Sequence, residues 1–104
     1  NAITAFNAKD WQAAITSWSA IDPATEESSY YLALSYFYAG NYKAANPLFA
    51  SLNTTTSVYA QEVKWFYGLS LILNGEKARG KEVLSAITED QWHYKEAQGL
   101  LSDQ

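Results

Sequence analysis

The sequence predicts an all-helical chain, built as an array of antiparallel helix hairpins. Three observations carry this. A phrase of twelve residues recurs three times. It reads Asp10-Trp11-Gln12-Ala13-Ala14 with Trp18 and Ile21, then Asn41-Tyr42-Lys43-Ala44-Ala45 with Phe49 and Leu52, then a more diverged Glu76-Lys77-Ala78-Arg79-Gly80 with Leu84 and Ile87. The copies are offset by 31 and 35 residues, a period typical of helical repeat arrays. Within each copy the apolar residues fall three or four apart, which places them on one helix face. The second and third copies follow glycine-bearing breaks, Gly40 and Asn74-Gly75.

The elements follow in order. A first helix is cut short: Ala2 and Ala5 match small and packing positions, so Asn1 falls inside it. The first copy starts at Asp10, a good N-cap, and buries Trp11, Ala14, Trp18 and Ile21. Asp22-Pro23 forms a loop. A helix over 30–39 carries Leu32, Ala33 and Tyr36 on one face and ends at Gly40, which relieves a left-handed C-cap. The second copy is capped by Asn41 and buries Tyr42, Ala45, Phe49 and Leu52. Pro47 lies about six residues into it and removes a backbone donor, which predicts a kink or a late start. After a loop at 53–57, a helix over 58–73 carries Tyr67, Gly68 and Leu71. The third copy starts at Glu76, whose charge suits the positive end of a helix dipole. A last helix over 90–102 presents Tyr94, Ala97, Leu100 and Leu101 and caps the array. Short breaks force antiparallel hairpins, and the matched small residues Ala14, Ala45 and Gly80 let a neighbouring helix come close. The result is a single domain over 1–104, with helix pairs at 1–21, 26–52 and 56–87 and the capping helix at 90–102.

Bulk composition narrows the function classes. A chain of 104 residues with 48% hydrophobic content holds one domain with an adequate core. The net charge of −4 argues against nucleic acid, which selects basic surfaces. The absence of Cys removes disulfides, thiolate metal sites and a Cys nucleophile. No apolar run reaches the ~18 residues that span a bilayer. Without Met at position 1, the chain is read as a processed protein or a piece of a longer one. A bacterial periplasmic or membrane-tethered setting and a cytoplasmic one are both compatible with it. Aromatic residues make up 15% of the chain, with 8 Tyr, 4 Trp and 4 Phe.

Leu32-Ala33, Tyr36, Gly40-Asn41-Tyr42, Ala45, Phe49 and Leu52 together resemble a tetratricopeptide repeat. The third copy keeps Gly68, Leu71, Gly75 and Leu84 but has Gly80 where the family prefers Ala. The closing Pro of the family appears only as Pro23. The resemblance covers nearly the whole chain as three degenerate repeats. It implies a right-handed superhelix of stacked hairpins, an α-α solenoid, whose first helices line a concave groove for a peptide or a partner's helix. Many members clamp a carboxylate there with Lys, Asn and Arg. The corresponding positions here are Ile3, Tyr31, Glu62 and Phe66, so a clamp of that kind is not expected.

The groove positions implied by the resemblance are mostly aromatic instead: Phe6, Tyr30, Leu34, Phe37, Tyr38, Glu62, Trp65 and Leu69. Tyr and Trp combine large contact area with a polar tip and are enriched at interaction hot spots. From Tyr30 onward these are the candidate partner-binding residues, led by Tyr30, Tyr38 and Trp65. His93, between Trp92 and Tyr94, lacks a nucleophile or acid beside it and suits a surface or interface role. Glu26-Glu27 and Glu89-Asp90 lie near helix starts, where the dipole explains them, and no carboxylate pair has ligand spacing with a His. Lys77, Arg79 and Lys81 make a small basic cluster, read as a solvated face. The glycines are too dispersed for a phosphate loop. The expectation is therefore a non-catalytic adaptor without cofactor or metal, binding a protein or peptide. The competing reading is a structural module that self-associates or packs on other parts of a longer, membrane-tethered protein.

Overall fold

Three equivalent turns organise the molecule. Lys9, Gly40 and Gly75 occupy the same place in successive hairpins, and all three have positive φ, at 61°, 85° and 87°. Their backbone N–H groups donate to equivalent carbonyls, those of Phe6, Phe37 and Ile72. In the second and third turns the next N–H, of Asn41 and of Glu76, reaches back five residues to Tyr36 and Leu71. This is the Schellman closure, in which a left-handed residue lets the orphan carbonyls of a helix end find donors.

The computed structural model describes residues 2–54, 57–88 and 93–102. Within them the backbone is all-α, with no strand: α1 (Ala2–Asn7), α2 (Trp11–Ser19), α3 (Glu26–Tyr38), α4 (Tyr42–Leu52), α5 (Ala60–Leu73), α6 (Lys77–Leu84) and α7 (Tyr94–Ser102). Each helix packs on the next, and α3 also touches α5. The radius of gyration is 13.7 Å, near the ~13 Å expected for a domain of this length.

Helix starts follow local chemistry. The Asp10 and Asn41 carboxylate and amide oxygens accept from the backbone N–H of Ala13 and Ala44, as N-caps do. Thr25 and Ser28 form a reciprocal capping box, which starts α3 at Glu26, four residues before the apolar run at Tyr30. Glu26 adds a link between hairpins: its Oε1 accepts from the Ser57 hydroxyl and the Val58 N–H just before α5.

Several boundaries differ from expectation. Helix α2 ends at Ser19, so Ile21 lies beyond it and is exposed rather than packed. Helix α4 starts at Tyr42 and runs through Pro47 without delay. Pro47 deprives the Lys43 carbonyl of its helical donor, but both residues are exposed, so water can serve it. Helix α5 starts at Ala60, two residues late, leaving Val58 in the turn. The side chains of Ala2, Ile3 and Ala5, the pair Glu89-Asp90, Trp92 and the expected start of the last helix at 90 lie outside the described residues.

Ala14, Ala45 and Gly80 are all buried, as their shared position requires. The third case shows why this copy has glycine. A Cβ on Gly80 would stand 2.6 Å from the Gly68 carbonyl oxygen and 2.5 Å from Ile72 Cγ1. The α5 and α6 backbones meet there. One core joins α3, α4 and α5 through Tyr30, Ala33, Phe49, Val63, Tyr67 and Leu71. A second, smaller one joins Leu84, Ile87 and Ala97, with Trp65, Tyr94, Leu100 and Leu101 packed against it.

Gly80→Ala is expected to destabilise the protein by about 1–3 kcal/mol through overpacking, against alanine's better helix propensity. Gly99→Ala, where an added Cβ meets nothing, is expected to stabilise by up to about 1 kcal/mol. Urea unfolding of the two variants checks the opposite signs.

Candidate interaction surface

Aromatic residues of five helices, α1 to α5, form one connected lattice. Antiparallel α2 and α3 are matched by two stacked pairs one heptad apart. Trp11 lies on Tyr38 at 5.0 Å and 21°, and Trp18 on Tyr31 at 5.1 Å and 14°. Phe6 of α1 sets its ring edge-to-face with both Trp11 and Tyr31. Phe37 carries the lattice inward to Tyr42, Phe49 and Phe66. Tyr30 stacks on Tyr59 at 4.2 Å and 11°. Each such pair contributes about 0.5–1.5 kcal/mol beyond its area, and the lattice holds its rings in fixed orientations.

The candidate residues separate into distinct environments. Tyr30 and Leu34 are core residues, only 6% and 5% exposed, and offer a partner no free face. Phe37 is half-buried inside the lattice. Tyr38 is 47% exposed although Trp11, Phe37 and Phe66 all contact its ring. Glu62, Trp65 and Leu69 are half-buried along α5. Trp65 belongs to the second core and stacks on His93 at 4.5 Å and 15°. The structure thus brings Phe37 and Tyr38 together, keeps Tyr30 and Leu34 inside, and sets Trp65 apart under α7. The direction each ring takes depends on how hairpins rotate against each other, which repeat position alone does not encode.

Beside Tyr38 lies a hollow of about 520 Å³, lined by Phe6, Asn7, Lys9, Trp11 and Tyr38. Its size falls in the ~300–1,000 Å³ range of ligand sites. Trp11 and Lys9 were not among the candidates. The offset of 31 residues does set Lys9 against Gly40, and that mismatch was the readable signal.

Several charged groups are engaged locally. Arg79 donates to Glu76 Oε1 at 2.7 Å and to the Tyr67 hydroxyl at 3.3 Å. Hydrogen bonds from Asn74 and Arg79 hold the Glu76 carboxyl below its ordinary value. Lys77 is exposed and Lys81 half-buried, so the basic cluster is not one free surface. His93 Nδ1 and Glu96 Oε2 are 3.0 Å apart. The backbone N–H of Glu96, and then His93, hold that carboxyl low. Among the described residues no group of three or more His, Cys, Asp or Glu could hold a metal ion, and no helix is long and apolar enough to cross a membrane.

Scans of protein-family models, of curated proteins and of solved structures found no match to this chain.

Burial pushes the Tyr30 phenol well above its ordinary value, with the Glu62 charge adding to the effect. The sign follows from proton counting. Above pH ~10 the unfolded chain releases this proton while the fold retains it, so stability present below that pH is lost as pH rises. Tyr30→Phe is expected to retain more of its neutral-pH stability at alkaline pH than the parent, as read by denaturant midpoints across pH 8–11, a range spanning the ordinary tyrosine value of ~10.

Proposed function

We propose that this chain is a tetratricopeptide-like solenoid, a right-handed stack of three hairpins closed by α7, and that it acts as a non-catalytic adaptor for a protein or peptide segment. The repeated turns, the equivalent N-caps of α2 and α4 and the buried small residue in every hairpin support the repeat reading. One observation carries the functional reading. Tyr38 is 47% exposed yet held by three other rings, at the edge of a hollow sized for a ligand group. A rigid aromatic ring open to water loses little conformational freedom on binding, which is what makes Tyr and Trp effective anchors. The binding surface is accordingly centred on Tyr38 and Trp11, with Phe37 behind them.

Panning a displayed random-peptide library against the protein tests this. Selected peptides are expected to lose at least about tenfold in affinity to Tyr38→Ala, the effect of a modest hot spot, with the helical circular dichroism spectrum kept. A library that returns no ligand, or ligands indifferent to Tyr38, would remove the adaptor reading.

The structural reading has its own support in Val58, 80% exposed, and Leu73, 55% exposed, at the two ends of the α5 region. If these faces mediate self-association, sedimentation will show a concentration-dependent dimer that Leu73→Asp dissolves. The adaptor reading expects a monomer in both cases.

A further inference from the structure

Lys9 stands where the other two hairpins place glycine. Its φ of 61° is the left-handed conformation that Gly40 and Gly75 adopt at 85° and 87°, and a side chain there is disfavoured. The turn does not need lysine, since the same positive φ and the same N–H to carbonyl bond form twice with glycine. Lys9 instead lines the hollow of Phe6, Asn7, Trp11 and Tyr38, where it is the one charged lining residue. Its neighbour Asp10 is turned to the helix, accepting from the Ala13 N–H. Among the described residues the ion pairs are Arg79–Glu76 and His93–Glu96, and neither involves Lys9. The walls beside it are fixed by the Trp11–Tyr38 stack and the Phe6–Trp11 edge contact.

A backbone conformation retained against its preference points to what the side chain does. We propose that this hollow takes an acidic side chain of a partner segment. Its carboxylate pairs with the Lys9 ammonium, and an adjacent apolar or aromatic side chain lies against Trp11 and Tyr38. The inference rests on the adaptor reading and gives its partner a chemistry. The charge of the lining, one cation among rings and an amide, selects an anion over a cation, and the rings select an apolar neighbour over an isolated phosphate.

Indole-3-acetate, which joins a carboxylate to a ring, is the probe, with neutral indole-3-acetamide as its control. Titration of the protein followed by nitrogen-15 NMR is expected to shift the Lys9 amide and the Trp11 indole resonances. The acid should bind about three- to fivefold tighter than the amide, the size of a partly exposed ion pair. That preference should vanish in Lys9→Gly and shrink at about 0.5 M salt, where exposed charges are screened. Lys9→Gly is expected to fold and to raise the thermal midpoint, because glycine suits the left-handed turn, so lost preference cannot be ascribed to unfolding. Equal affinity for acid and amide, a preference that survives Lys9→Gly, shifts that map elsewhere, or no shift at all overturns the site. Failure of the adaptor reading looks different: the acid binds with its Lys9 dependence, but the peptide library returns nothing. Selected peptides that lack acidic residues and bind Lys9→Gly unchanged overturn this inference alone.

Discussion

How closely two helices of a hairpin can approach governs the rest of the structure. At the α5–α6 crossing the limit is reached, because the Gly80 backbone lies against the Gly68 carbonyl with no room for a methyl group. The first two hairpins meet the same requirement with Ala14 and Ala45, both fully buried. Close approach at this point lets the larger side chains one turn further on, Trp18, Phe49 and Leu84, reach full or nearly full burial. Each contributes roughly 1.5–3 kcal/mol by its removal from water. The small residue is therefore the precondition and the large one the gain.

Close packing fixes distance but leaves sliding and rotation open, and here the rings take over. The Trp11–Tyr38 and Trp18–Tyr31 stacks lie seven residues apart on both helices, so a shift of one turn would break both at once. The Glu26 carboxylate, bound to Ser57 and Val58, ties the entry of α5 to the entry of α3. Register between hairpins thus rests on a few directional contacts placed at the edges of a non-directional core.

What was legible in the sequence was local. The turns at Gly40 and Gly75, the caps at Asp10 and Asn41, and the small positions each depend on a few neighbouring residues, and all are found where the repeated phrase puts them. Ile21 was misread because helical spacing continues in the sequence after the helix has ended at Ser19. Helix α4 runs from its Asn41 cap through Pro47 without the late start that a proline suggests, because the proline penalty falls on one carbonyl, and an exposed carbonyl has water. The surface was the least legible part. Tyr30 and Tyr38 lie on the same helix, eight residues apart, yet one is in the core and the other in solvent. Tyr30 is covered by Tyr59, and Tyr38 is only partly covered by Trp11, contacts that no short window contains.

The apolar burial of α7 is shared with Leu84 and Ile87 and with the Trp65 side of α5, apart from the core that joins α3, α4 and α5. Stability in such a molecule is not a single quantity. The free energy that holds α7 in place is drawn from its own small set of contacts, the kind of unit whose local stability differs from that of a larger core. Helix α7 therefore meets the rest of the fold along a seam of its own, separate from the larger core. The Trp65–His93 stack lies across that seam, so the face of an indole ring is covered there by contacts that the larger core does not supply.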